Sequence, residues 1–175
     1  MAETERLVLR RLGPRDITDL TALIRDKMAS PYAPYDAQWP TDVPALMGIL
    51  KWLSGDPGWY GIELKAEGKL VGFATASVSG DGRTCEVGYT VHGAYQNRGI
   101  AYEACSTLMR EKAKSPNLEK FTAGTADINA PSRALLAKLG FERTGSELVS
   151  FAKDENGEPI MFMGGAYECA AEKWR

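Results

Sequence analysis

With 175 residues, 44% hydrophobic and 25% charged, the chain has the size and composition of one globular domain that can bury a core without disulfide or metal staples. A formal charge of −2 argues against a general attraction to nucleic acid, and no apolar run approaches the length of a bilayer span. Three cysteines (Cys85, Cys105, Cys169) and a single histidine (His92) are too few and too scattered for a disulfide framework or a zinc site. The first residues, Met1 to Arg6, show no signal-peptide pattern. The expectation is one domain over residues 1–175, cytoplasmic, with reduced thiols and with no metal, nucleic acid or membrane as partner.

Leu7 and Leu9 alternate with polar neighbours in a first strand, which Gly13-Pro14 ends before a helix carrying Ile17, Leu20, Leu23 and Ile24. A second helix starts near Thr41 or Asp42 and carries Leu46, Ile49, Leu50 and Leu53. Three antiparallel strands follow, 59–65, 70–77 and 84–91, with Glu67-Gly68 and Gly80-Asp81-Gly82 as turns. The spacing of Ile100, Ala104 and Leu108 predicts a helix over 99–112, and a short strand over 120–124 leads to a helix that Asn129 caps. Gly140 ends that helix, and a hairpin of 147–152 and 159–168 turns at Asn156-Gly157. The order βααβββαβαββ predicts an α/β fold: a mixed, mostly antiparallel sheet of about seven strands with helices on both faces.

One stretch carries more chemistry than the rest. Tyr95-Gln96-Asn97-Arg98-Gly99-Ile100-Ala101-Tyr102-Glu103-Ala104 reads as a strand end, a glycine turn and a helix start. First-turn amides of a helix have no internal partner and sit at the positive end of the helix dipole, so they can accept a phosphate as ligand. Gly99 lets the backbone approach a ligand closely or adopt positive φ, Ala101 keeps the next amide uncrowded, and Arg98 adds charge at the rim. By itself the pattern is also that of an ordinary loop before a helix.

Three separated pieces together resemble the GCN5-related N-acetyltransferases: Glu5-Arg6-Leu7-Val8-Leu9-Arg10; Glu86-Val87-Gly88-Tyr89 followed by the glycine turn; and Asn129-Ala130-Pro131-Ser132 followed by Leu139-Gly140-Phe141. Within that superfamily they are most similar to the branch named for the ribosomal-protein N-terminal acetyltransferases, which also holds enzymes acting on unrelated amines. The resemblance implies acetyl-CoA as donor. It places the pyrophosphate on the amides of the segment Gln96, Asn97, Arg98, Gly99, Ile100 and Ala101, and the pantetheine arm between splayed central strands beside Tyr89, Thr90 and Val91. A backbone N–H of that strand would polarise the thioester carbonyl. Asn129 matches a position on the pantetheine side of the cofactor, and it serves equally as a helix cap. Relatives occur as monomers and as homodimers, and both remain open here.

Acetyl transfer to a primary amine, peptide or small-molecule, needs a neutral nitrogen, so a base must take a proton. Glu86 is the candidate, ten residues before Gln96. Strand parity puts Glu86, Gly88 and Thr90 on one face, and two-sided burial would carry Glu86 indoors and raise its pKa; a structural ion pair is the competing role. The tyrosine that protonates the leaving thiolate in many relatives is replaced by Leu136. Ser132 matches a serine proposed for that task in this branch, with helix-start hydrogen bonding as its plainer role. The lack of a Cys-His pair favours direct transfer in a ternary complex over an acyl-cysteine route. Tyr32, Tyr35, Asp36 and Trp39 lie in the loop between the first two helices, where relatives wall the acceptor cleft; rings and carboxylate could take an apolar-bodied cation, or the rings could simply plug a core edge. The hairpin from Phe151 to Phe162 supplies the opposite wall. Two other classes compete: a degenerate acyl-CoA-binding sensor or interaction module, suggested by Leu136, and a nucleotide-phosphate enzyme, against which the missing Walker lysine speaks.

Overall fold

Apolar periodicity in this chain divides between two cores, one on each face of a single sheet. The computed structural model describes residues 1–175. Its elements are strands β1 (Ala2–Glu3) and β2 (Leu7–Arg10), helices α1 (Ile17–Ala29) and α2 (Val43–Gly55), and the meander β3 (Trp59–Leu64), β4 (Lys69–Val78) and β5 (Thr84–Val91). Helix α3 (Ile100–Ala113), strand β6 (Lys120–Ala126), helix α4 (Ala130–Lys138) and strands β7 (Glu142–Val149) and β8 (Phe162–Ala170) complete it. The eight strands lie in the order β1-β2-β3-β4-β5-β6-β8-β7. Only β5 and β6 run parallel, because α3 carries the chain back across the sheet between them.

On one face, α3 and α4 bury Ile100, Ala104, Leu108 and Leu136 against Leu7, Ile62, Val87 and Phe121. On the other, Leu20, Leu23 and Ile24 of α1 and Leu46, Leu50 and Leu53 of α2 recur at helical spacing over Leu70 and Phe73. Each such fully buried leucine contributes about 1.5–3 kcal/mol. Asp42 caps α2 by accepting from the Ala45 amide (2.9 Å), and Asn129 caps α4 by accepting from the Ser132 amide (3.1 Å). Gly140 closes α4 with φ +81°, as its place after the helix predicts.

A buried ion cluster ties β2, α1 and β3 together. Asp16, 3% exposed, takes two bonds from the Arg10 guanidinium, at 2.7 and 2.9 Å, and Arg10 Nε donates to Glu63 at 2.6 Å. Asp16 also accepts from the Gly13 amide at 2.8 Å. The fork of Arg10 is thus filled by two carboxylates, which hold its charge firmly.

The expected sheet of about seven strands is present, and the two-residue β1 adds an eighth by pairing with β2. The last hairpin needs correcting. Strand β7 begins at Glu142, not 147, and its ladder with β8 stops at Val149↔Phe162. Residues 150–161 are therefore a long loop instead of strand. The turn at Asn156-Gly157 is present at its tip: Asp154 accepts from the amides of Asn156 and Glu158 (2.8 and 2.9 Å), Gly157 takes φ +84°, and a lone bridge, Lys153↔Pro159, is all the pairing it makes.

Candidate active site

Strand β5 is zipped to β4 through seven register pairs, from Gly72↔Val91 to Val78↔Cys85. Toward β6 it makes only three: Thr84↔Lys120, Cys85↔Phe121 and Glu86↔Thr122. Beyond Glu86 the two strands diverge, because β6 stays in register with β8 as far as Ala126↔Gly164. The β6-facing backbone groups of Gly88 to Val91 are left without a ladder partner, a slot that an extended, amide-bearing ligand can pair with.

At the open end of that slot stands the glycine turn. His92 Nδ1 accepts from the Ala94 amide (3.2 Å), Gln96 Nε2 donates to the Val91 carbonyl (2.8 Å), and the chain passes through Asn97 at φ 58° and Gly99 at φ 77° before entering α3. The amides of Asn97, Arg98, Gly99, Ile100 and Ala101 find no backbone acceptor in the chain. A Cβ on Gly99 would meet only Arg6 Nη2, at 3.6 Å, so the glycine faces open space. Five consecutive free amides at a helix N-terminus fit a pyrophosphate. Of the side chains expected here, Gln96 is tied to its own strand, Arg98 lies over the Tyr95 ring (5.4 Å), and Ile100 is buried in the core; the turn offers its backbone.

Arg6 is the residue that fixes this turn, and as one charge in a strand motif it gave no sequence signal of that role. Its Nη1 donates to the Arg98 carbonyl at 3.1 Å, while Nε and Nη2 donate to Glu103 Oε2 at 2.8 and 2.5 Å. Thr4 donates to the other oxygen of Glu103. Burial works against the Glu103 charge, but the bonds from Thr4 and Arg6 outweigh it and hold the carboxyl below its ordinary value.

Across the divergence, the Tyr89 hydroxyl of β5 lies 2.8 Å from Ser132 Oγ on the first turn of α4. Desolvation raises the Tyr89 phenol well above its usual pKa, only partly offset by Ser132. Leu136 is 1% exposed and packs in the core, so it brings no polar group to the slot.

Glu86 sits at the vertex where β5 and β6 part, on the face opposite α3, as parity predicts. Its expected burial is wrong: the side chain is exposed. Helices α1 and α2 cover that face over β3 and β4 and leave the β5 row open, so Glu86 faces solvent.

The two predicted cleft walls do meet. Tyr35 packs edge-on against Phe162 (5.5 Å) and Phe151 against the same ring (5.6 Å), beside a cleft of about 460 Å³ lined by Gln38, Ser150, Phe151, Ala152, Lys153 and Pro159. Two loop residues fall elsewhere. Trp39 stacks on Phe73 (5.6 Å) and Trp59 (6.0 Å) as part of the second core. Asp36 is paired with the buried Lys27 ammonium at 2.9 Å, so its charge is already balanced. Tyr32 is half-buried in the same loop.

Desolvation pushes the Cys85 thiol to about 11 and the Cys105 thiol to about 12, so neither offers a thiolate at neutral pH. No group of three His, Cys, Asp or Glu residues is placed to hold a metal ion, and no helix is long and apolar enough to cross a membrane.

A sheet opened at its one parallel pair, with a free-amide cradle at the helix that follows, offers a slot for an extended amide-bearing ligand and a seat for a pyrophosphate at its mouth. The Acetyltransferase (GNAT) domain family matches residues 6–142. The chain belongs to the GNAT family of N-acetyltransferases, enzymes whose acetyl donor is acetyl-CoA. It is 27% identical over 160 residues to the [Ribosomal protein uS5]-alanine N-acetyltransferase of Escherichia coli, covering 86% of this chain and 80% of the relative. Its fold is similar to that of the microcin C7 self-immunity acetyltransferase MccE in complex with acetyl-CoA and AMP, with a TM-score of 0.79, 19% identity and coverage of 95% and 93% of the two chains. The spermidine N-acetyltransferase of Vibrio cholerae, in complex with CoA and spermine, superposes with a TM-score of 0.76 at 17% identity, covering 98% and 99%.

Proposed function

We propose that the chain transfers the acetyl group of acetyl-CoA directly to a primary amine, a peptide α-amine or a small-molecule amine, within a ternary complex. The observation that carries this reading is the divergence of β5 from β6 past Glu86, which opens a passage between the two faces of the sheet. Acetyl-CoA supplies an acetyl group activated as a thioester. The free amides from Asn97 to Ala101 bind its pyrophosphate, the unpaired edge of Tyr89, Thr90 and Val91 pairs with its pantetheine arm, and Asn129 and Ser132 border that arm from α4. A backbone N–H of the same edge polarises the acetyl carbonyl.

Opposite parity gives the two faces opposite tasks. Glu86, exposed on the face shared with the aromatic cleft, takes the proton of the incoming ammonium directly or through water. Ser132, three residues into the α4 cap on the other face, donates a hydrogen bond to the departing sulfur. The buried, protonated thiols of Cys85 and Cys105 support direct transfer over an acyl-cysteine route. Relatives that act on a ribosomal protein alanine and on spermidine set the substrate classes to test. With Asp36 neutralised by Lys27 and no carboxylate among the residues that line the cleft, an N-terminal peptide amine is favoured over a polyamine.

A second reading, a catalytically silent acyl-CoA sensor, is favoured by Leu136, which leaves α4 without its tyrosine hydroxyl. Calorimetric titration with acetyl-CoA, followed by thiol release with an alanine-starting peptide, spermidine and simple amines, separates the two. Binding with turnover is expected. Binding without turnover on any amine leaves the sensor, and no binding of acetyl-CoA removes both readings.

A further inference from the structure

We propose that Tyr89 is a positioning residue that aims the Ser132 hydroxyl at the leaving sulfur, so that a strand β5 phenol replaces what α4 lost at Leu136. This rests on the acetyl-transfer reading above. On the thiolate side of the sheet Leu136 offers no hydroxyl, which leaves Ser132 as the one hydroxyl on α4. A serine hydroxyl alone is a rotor with one hydrogen and several acceptors within reach. Ser132 has the carbonyls of its own helix nearby, and serines in a first helical turn commonly bond locally.

The geometry restricts that rotor. Tyr89 Oη lies 2.8 Å from Ser132 Oγ and 3.2 Å from the Ser132 carbonyl oxygen. The proposed state is the one in which the phenol donates to Oγ, at the shorter of the two distances, rather than to the carbonyl; the serine hydrogen is then directed away from Tyr89 and is free for another acceptor. Desolvation keeps the phenol a donor throughout the physiological range, since its pKa is raised. The side chain crosses the divergence from β5 to α4, anchored at one end by the Ala74↔Tyr89 ladder pair and at the other by the capped first turn. Both partners are therefore held by backbone structure.

The step balances without a further co-reactant. The nitrogen–carbon bond forms, the carbon–sulfur bond breaks, and the electron pair of that bond goes to sulfur. Ser132 O–H donates a hydrogen bond to the developing thiolate, Tyr89 O–H donates to Ser132 Oγ, and neither gives up its proton. The proton lost by the amine leaves through Glu86 or water, and the thiolate takes one from water on release, which its pKa near 8.5 allows.

The test reads binding of free CoA, without turnover. A hydrogen-bond donor at the sulfur favours the thiolate, so CoA affinity in the wild type should rise about tenfold between roughly pH 7 and pH 10, while desulfo-CoA shows no rise. Ser132→Ala should abolish the rise and Tyr89→Phe, which keeps the ring and its packing, should cut it to about threefold, with affinity at neutral pH unchanged. A Tyr89→Phe protein with the full wild-type rise overturns the proposal, as does a wild type whose CoA affinity is flat with pH; failure of both proteins to bind CoA at any pH overturns the acetyl-transfer reading itself. With an alanine-starting peptide as acceptor, Tyr89→Phe should lower kcat about tenfold at constant KM for acetyl-CoA, and less than about twofold once Ser132 is alanine. Equal losses in both backgrounds reduce Tyr89 to packing.

Discussion

The two edges of β5 are built from the same residues and do opposite things. Toward β4 the strand is closed along its length, with Gly72 admitting the Thr90 carbonyl so closely that a Cβ there would sit 2.4 Å from it. Toward β6 it closes over three residues and opens. The closed side carries the Arg10-Asp16-Glu63 cluster and the leucine core of α1 and α2; on the open side Phe121, Leu136 and Tyr167 belong to the larger core that holds β6, α4 and β8 in place. The unpartnered backbone, and with it the ligand chemistry, is confined to the gap between β5 and β6 beyond Glu86.

The difference can be broken from either side. The largest effect is expected from Asp16→Ala, which strands the buried Arg10 fork: unfolding free energy should fall by about 3 kcal/mol in a urea titration, with acetyl-CoA affinity of the folded protein intact. A loss of affinity equal to that of the cradle variants would show that the two regions are not separable. Next is Glu86→Gln at the vertex, for which turnover should drop about a hundredfold, leaving calorimetric acetyl-CoA binding unchanged; unaltered turnover would reduce Glu86 to scaffold. Gly99→Trp should weaken acetyl-CoA by at least about tenfold and destabilise the fold by roughly 1–2 kcal/mol, because φ 77° is strained for any residue with a Cβ. Wild-type affinity in that variant would remove the cradle.

The smallest change sharpens the comparison. Arg6→Ala should loosen the turn and cost about threefold in acetyl-CoA affinity. Its pH dependence has a definite sign: Glu103 titrates lower in the folded protein than its unfolded value near 4.5, so the anchor is intact above that value and fails as pH falls through the lower, folded one. The gap between wild type and Arg6→Ala should therefore persist down to pH 4.5 and close below it. A gap that closes at higher pH would mean that Arg6 acts without Glu103.

What the sequence revealed follows the same division. The meander and both helix pairs were legible because each has a face buried against something, and burial imposes periodicity; the glycine turn, exposed from Gln96 to Gly99, was legible from its residue types alone. Strand β7 was misplaced because Glu142-Arg143-Thr144-Gly145-Ser146-Glu147 is exposed on both faces at the sheet edge and carries no alternation. Glu86 was put on the correct face but the wrong side of the solvent boundary, since parity along β5 says nothing about how far α1 and α2 reach. Asp36 looked free because Lys27, nine residues earlier, occupies a core position of α1 that charge counting assigns to water. Pairings such as Arg6 with Glu103 and Tyr89 with Ser132 join residues 97 and 43 apart, and no local pattern announces them.

The Arg6 anchor has a consequence for how the protein comes into being. Its two ends lie 97 residues apart, so the last tightening of the turn waits until the first strand and the third helix have met, an event that loop-closure entropy delays. Full binding affinity is thus a late product of folding. Acetyl-CoA, by engaging best the chains that have completed this closure, pulls the final step forward by mass action and makes the ligand a reporter of correctly finished molecules.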